Sequence, residues 1–426
     1  MRPTGRLHIG HYFGALQNWI KLHNDPQYEC FFFIADWHAL TSDYADTSQV
    51  AQNTIEIAID WLAAGLDPER CTMFVQSAVP EHAELNLLLS MVTPLGWLER
   101  VPTYKEALDN IKDKDLHTYG FLGYPVLQTA DIVMYGALES DLVVPVGEDQ
   151  VAHVELSREI VRRLNVFYGL SFDDEELRKK SRAWRYGEIA MAMRIHDFSP
   201  NLSEFPLNDA RWKEVESKLR AKILEVGIEN ALNLLSVAAQ ADELVRVRSV
   251  LREPQAMLTQ TPRIPGTDGR KMSKSYNNFI SLSESDESIR VKTKAMMTDP
   301  ARKRRTDPGN PDVCPAYDWH KLFSSGETLA WANHGCRTAG IGCIECKSAM
   351  ADHLIKWIEP VRQRREDYQQ QPQHVLDILD TGSKRARMVA QETMDRVREA
   401  VFGWDKTRAN LNAVPRGGTQ NVKAGN

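Results

Sequence analysis

The stretch Pro3-Thr4-Gly5-Arg6-Leu7-His8-Ile9-Gly10-His11 runs directly into Tyr12 to Leu22, which reads as a helix. Gly10 leaves room for a planar base or a ribose against the backbone. His8 and His11 stand three apart near the helix start, where both rings can face a phosphate chain. Two histidines near a helix start are more often structural, so the surrounding sequence has to decide.

Outward from that turn, residues 1 to about 168 alternate short β-rich runs with amphipathic stretches. Phe31-Phe32-Phe33-Ile34-Ala35, Met73-Phe74-Val75 and Asp141 to Val146 read as strands, and Gln49 to Leu62 and Asp149 to Leu164 as helices. Such alternation predicts a doubly wound α/β domain, a parallel sheet with helices on both faces and a ligand crevice at the strands' carboxyl ends. Residues 171–255 are expected to form an inserted helical module. Asp173-Asp174-Glu175-Glu176 opens a charged helix there, and Ala231 to Val250 reads as one amphipathic helix with Leu232, Leu235, Ala239 and Leu244 near one face. Residues 256–300 return to the first domain, 301–405 form a helical domain, and 406–426 a frayed tail.

A second motif opens that return: Gly266-Thr267-Asp268-Gly269-Arg270-Lys271-Met272-Ser273-Lys274-Ser275. Two lysines and hydroxyls on a glycine-flanked loop make a mobile cationic lid, suited to charge that builds on a departing pyrophosphate. Alone it could be an ordinary solvated loop.

Composition narrows the class. Hydrophobic residues make up 42% of the 426, which is globular rather than disordered. No apolar run approaches the roughly 20 residues that span a bilayer, and no apolar h-region follows Arg2. A soluble, cytoplasmic protein with no membrane partner is expected. The net charge of −6 argues against bulk nucleic-acid binding. Arg290 to Arg305, however, carries seven basic residues against Asp299 alone, and shorter basic clusters follow at Arg362–Arg365 and Lys384–Arg387. A phosphate backbone can be held there, although solvated helix faces are the plainer account of any one cluster. Cys30 and Cys71 stand alone in apolar runs and read as inert core. Cys314, Cys336, Cys343 and Cys346 crowd together instead, which in a cytosolic chain points to a metal or cluster site. Their spacing suits Zn²⁺ or [4Fe–4S] and does not choose between them.

The two motifs, in this order and with a nucleotide-fold pattern between them, resemble the HIGH and KMSKS signatures of class I aminoacyl-tRNA synthetases. Gly123-Tyr124-Pro125-Val126-Leu127-Gln128-Thr129-Ala130-Asp131, Val144 to Gln150 and Phe33 to Thr41 resemble the tryptophanyl branch. The resemblance covers about residues 1–168 and 259–400. It implies that tryptophan is activated with ATP and Mg²⁺ and passed to its tRNA, that the helical domain 301–405 binds the tRNA and reads its anticodon, and that a homodimer is the working form. It implies Asp131 as acceptor of the indole N–H, Tyr124 and Gln150 at the substrate's α-amino and carboxylate end, and His38 beside them. Gly147 and Asp149 would meet the adenosine, while Thr4, His8, Gly10 and His11 would hold ATP. Lys271, Met272, Ser273 and Lys274 would form the lid over the pyrophosphate, with Lys105 a weaker candidate. Asp299 to Pro311, then Gly335-Cys336 and Gly342-Cys343-Ile344-Glu345-Cys346, resembles the iron–sulfur form of the bacterial family, which favours [4Fe–4S] over zinc. The family carries a strand ahead of the Pro-Thr-Gly turn, and no residues for it precede Pro3 except Met1-Arg2. Gln128 replaces the methionine common beside the indole. A tyrosine-specific relative and a small-molecule nucleotidylyltransferase, which can share the HxGH turn, are the alternatives. A synthetase-like RNA-binding paralogue is a third.

Overall fold

In the computed structural model, described for residues 1–110, 115–196, 200–239, 245–259, 264–405 and 407–408, six short strands pair as three two-stranded sheets. β1 (Phe31–Ile34) lies parallel to β2 (Thr72–Val75), and β3 (Leu142–Val146) parallel to β6 (Pro254–Leu258). β4 (Leu170–Phe172) and β5 (Val245–Val247) pair antiparallel at the base of the insertion. The apolar runs became strands where expected, but no ladder joins the two parallel pairs among the described residues. On the edge of β1 away from β2, Met1 donates its amine to the Phe33 carbonyl at 2.6 Å and accepts from Ala35 N at 2.8 Å.

Helices cover the pairs. We label α1 (Val50–Ala64), α2 (Glu81–Val92), α3 (Tyr119–Val133), α4 (Val151–Tyr168), α5 (Asp209–Val226), α6 (Ile228–Ala239), α7 (Cys343–Gln369) and α8 (Pro372–Phe402). The first core joins the N-terminal turn, α1 and β1 to Ile280, Trp319 and α7. The second joins α2, α3 and α4 to α8. Residues 301–405 therefore share both cores with the N-terminal half. α8 crosses β2 so closely that a Cβ on Gly382 would sit 1.8 Å from the Met73 carbonyl oxygen. A third core, from Val166 to Leu235, belongs to the insertion and its root.

Two expectations need correction. Ala231–Val250 is not one helix: α6 ends at Ala239, residues 240–244 lie outside the described set with Leu244 among them, and the chain resumes as β5. Pairing with β4 overrides the local helical pattern there. A charged helix does open at Asp174, and it is one turn long, Asp174–Leu177. Arg362–Arg365 is not a basic surface, because Arg362 pairs with Asp286, Arg364 donates to the Ala63 carbonyl and Arg365 is buried.

Candidate active site

The chain from Thr4 to His11 is held from several sides. Lys274 Nζ donates to the Thr4 carbonyl at 2.8 Å, and Leu7 N donates to Asp60 Oδ2 at 2.6 Å. Leu282 N donates to the Leu7 carbonyl at 2.9 Å, and Ile9 N to the Ile280 carbonyl at 3.0 Å. The His8 and His11 rings stack with centroids 3.6 Å apart, and His8 N donates to His11 Nδ1 at 3.2 Å. Burial, then His11 and Lys274, hold His8 down to about 3; burial, then Lys274, hold His11 down to about 4. Both rings are therefore neutral at pH 7. His8 Nδ1 is buried without a hydrogen-bond partner. Gly10 is required by close approach, since a Cβ there would lie 2.9 Å from His8 Nδ1 and 3.3 Å from the buried Met272 sulfur.

The lid loop is a small hairpin closed by a bridge between Pro265 and Lys271, with Gly266 N donating to the Arg270 carbonyl at 2.6 Å. Asn278 braces it: its Oδ1 accepts from Ser273 N at 2.7 Å, and its Nδ2 donates to Asp268 Oδ1 at 2.7 Å and the Lys271 carbonyl at 3.1 Å. Lys271 itself is exposed. Thr4, Gly5, Arg6 and Lys274 line an open cavity of 410 Å³ with Phe279 and Lys292.

A second group forms at the other end of residues 1–4. Tyr124 and Asp131 lie seven apart on α3, two turns along one face. Asp131 is 3% exposed and accepts from His38 Nε2 at 2.7 Å, His82 Nδ1 at 2.6 Å and Gln76 Nε2 at 2.8 Å. Burial pushes its carboxyl up, but hydrogen bonds from His38 and His82 outweigh this and hold it at about 2. Because an ionised carboxylate only accepts, His82 carries a proton on Nδ1, and its Nε2 meets the Tyr135 hydroxyl at 2.6 Å. Gln76 Nε2 reaches the second oxygen at 2.8 Å as well, so each Asp131 oxygen takes two contacts. Tyr124 Oη meets Thr103 Oγ1 at 2.7 Å and His153 Nε2 at 2.8 Å. Its ring stands 6.4 Å from that of His38.

Asp131 acts electrostatically on the Met1 amine, and three residues later Thr4 meets Lys274. Residues 1–4, roughly 10 Å of chain at about 3.5 Å per residue, run from one group toward the other. Gly147, Asp149 and Gln150 follow the carboxyl end of β3, with Gln150 Nε2 turned to Asp149 Oδ2 at 3.1 Å. Lys105 is exposed on the helix Pro102–Asn110. Sequence reasoning did not name Gln76, His82, Asp60 or Asn278. Only Gln76-Ser77-Ala78 directly after β2 hinted at a role, by its place at a strand's carboxyl end.

Away from this site, the four clustered cysteines gather where Pro315–Phe323, Gly326–Arg337 and α7 begin or end. None is in a disulfide. Cys314, Cys336 and Cys343 all act on the Cys346 thiol, and after burial they help push it up to about 12. The Arg302 fork donates to the carbonyls of Arg305 and Ile341 and turns Nη1 to Cys343 Sγ at 3.7 Å. Among the described residues no three His, Cys, Asp or Glu side chains already close into a metal-holding group. Burial pushes the isolated Cys30 and Cys71 up to about 11 and 12, as inert core thiols.

A nucleotide-type fold with a paired-histidine turn under a lysine lid matches a known family. The family model of the class I tRNA synthetases (W and Y) matches residues 1–176 and 219–359, so the chain belongs to that family. Its relatives narrow the branch. It is 47% identical over 408 residues to the tryptophan–tRNA ligase of Ralstonia nicotianae, covering 94% of this chain and 96% of that protein. It is 41% identical over 402 residues to that of Thermotoga maritima, covering 94% and 97%. A similar solved structure is tryptophanyl-tRNA synthetase from Campylobacter jejuni complexed with ADP and tryptophan. It has a TM-score of 0.67 and 25% identity, and the match covers 94% of this chain and 98% of that one. No helix among the described residues is long and apolar enough to cross a membrane.

Proposed function

We infer that the chain is a tryptophan–tRNA ligase, joining tryptophan to AMP at the expense of ATP and then passing it to the terminal ribose of its tRNA. The observation that carries this is near full-length identity to tryptophan–tRNA ligases, joined to a buried carboxylate on the helix that also carries Tyr124. The indole N–H is the one polar handle on tryptophan's side chain, and Asp131 is the group to receive it. Tyrosine is the alternative substrate, disfavoured because Asp131 sits in the tryptophanyl pattern and because of the cysteine segment.

The substrate carboxylate is already an anion and attacks the α-phosphate in line, so no general base is needed. Catalysis then consists of positioning and charge stabilisation. Tyr124, Gln150 and His38 would orient the amino acid, and Gly147 and Asp149 the adenosine. Thr4, Gly10 and the neutral His8 and His11 rings would hold the phosphates by N–H donation and close contact. Lys274, with Lys271, Met272 and Ser273 on the same loop, would meet charge growing on pyrophosphate. Mg²⁺ would arrive on the nucleotide.

For the cysteines we propose a [4Fe–4S] cluster held by Cys314, Cys336, Cys343 and Cys346, with Zn²⁺ second. The gathering of four thiols, none in a disulfide, and the Arg302 donor beside them support it. When bound, the cluster would tie the Arg302–Arg305 loop to α7, next to surfaces that would grip tRNA. A cytoplasmic homodimer completes the proposal. Incubation with total tRNA, ATP and labelled tryptophan or tyrosine tests it: tryptophan alone should enter acid-insoluble material, and charging with tyrosine would overturn the assignment.

A further inference from the structure

Asp60 is fully buried on α1, and no motif marks it. Its Oδ2 accepts from Leu7 N at 2.6 Å, between the Thr4 and His8 positions of the histidine turn. Its Oδ1 accepts from Arg365 Nε on α7, also at 2.6 Å. Arg365 is 1% exposed and bonds Glu56 as well, and Glu56 accepts from Arg6 Nε at 3.0 Å. Thus Arg6 and Leu7 both hang on carboxylates whose common partner is one arginine of the C-terminal half. Burial pushes the Asp60 carboxyl up while Arg365 pulls it down. Separating such a buried pair leaves an uncompensated charge, so α7 and the turn must move together. Nineteen residues before Arg365, roughly 29 Å at about 1.5 Å per residue, α7 carries Cys346.

We propose that Asp60 and Arg365 are positioning residues for ATP: they fix the histidine turn and couple it to α7, so that nucleotide binding depends on where the C-terminal helix sits. Neither touches the substrate. Asp60 works through Leu7 N, which sets the path of the backbone into His8. Arg365 works through Asp60. This rests on the synthetase assignment and adds a coupling to it.

The test uses the full chain carrying Asp60→Asn, Arg365→Met, Arg365→Lys and the charge-neutral pair Asp60→Asn/Arg365→Gln. The last leaves no buried charge unpaired and keeps the question open if a single variant fails to fold. ATP and tryptophan dissociation constants are taken separately by equilibrium dialysis, with melting temperature alongside. Asp60→Asn and Arg365→Met should each weaken ATP about tenfold while tryptophan binding shifts less than twofold. Arg365→Lys, which keeps the charge and a donor, should recover most of the loss. The paired variant should be no worse than either single one, because the two residues act in series. ATP and tryptophan weakening together, in step with the melting temperature, would reduce the pair to a brace of the core. Unchanged ATP binding would overturn the proposal outright. ATP dialysis needs no amino acid, so a wild-type chain that activates no tryptophan would sink the functional assignment without deciding this one.

Discussion

Asp131 shows how one side chain serves two ends. Asp131→Ala should abolish the indole partner and weaken tryptophan by about 1–3 kcal/mol, roughly 5–150-fold, with ATP binding close to wild type. It also strands His38, His82 and Gln76 as buried donors, so the melting temperature should fall by several degrees. Equal loss of both substrates at unchanged stability would contradict the assigned role. Lys274→Ala should instead slow adenylate formation and leave the tryptophan dissociation constant nearly unchanged, because in the proposed role the lysine meets charge that grows in the transition state. Single-turnover kinetics with direct binding separates the two. His8 and His11 add a pH dependence. Their folded values lie near 3 and 4, below the ordinary 6.5 of an unfolded histidine. As pH falls from 6.5 toward 4, the unfolded chain takes up protons that the folded chain refuses, and stability drops. Each ring contributes at most about 2 kcal/mol of loss at pH 5, because a tenfold change in proton affinity is worth about 1.4 kcal/mol. Urea unfolding from pH 7 to pH 5 should show the loss, and His8→Asn/His11→Asn should flatten it.

At the scale of elements, most of what was legible in the sequence is what carries its own local signal. Phe31–Ile34 and Thr72–Val75 are continuous apolar runs and became strands. Gln49 to Leu62 carries a helical pattern and became α1. Illegible features depend on distant partners. Asp60 looks like any helix carboxylate until Arg365, 305 residues on, is placed beside it. His82 reads as a helix residue until α3 brings Asp131 to it, and Val245–Val247 reads as helix until β4 lies alongside. Gly382 is another such case, lost in a helical pattern yet pressed against β2. Gly382→Ala should cost about 1–3 kcal/mol by overpacking. Gly187→Ala, in a helix with nothing within 4 Å of the added carbon, should instead add about 0.5–1 kcal/mol. Thermal melts of the two variants, run together, check both signs.

For the whole molecule, the first core joins the N-terminal turn, the lid loop and the C-terminal helices, and the Asp60–Arg365 pair ties the turn to α7. The cysteine segment sits at the far end of α7. Protein purified without oxygen should be brown and hold about four irons per chain if the cluster is [4Fe–4S]. A colourless protein with one tightly held zinc would leave only the anchoring role. Replacing Cys343 and Cys346 by Ser should empty the site, spare most amino-acid activation and reduce tRNA charging more. The most direct test of the central claim is ATP–pyrophosphate exchange with the purified chain, run separately with each of the twenty amino acids. Exchange should depend on tryptophan, with tyrosine and the others near background. Exchange driven by tyrosine, by another amino acid, or equally with none added would contradict it.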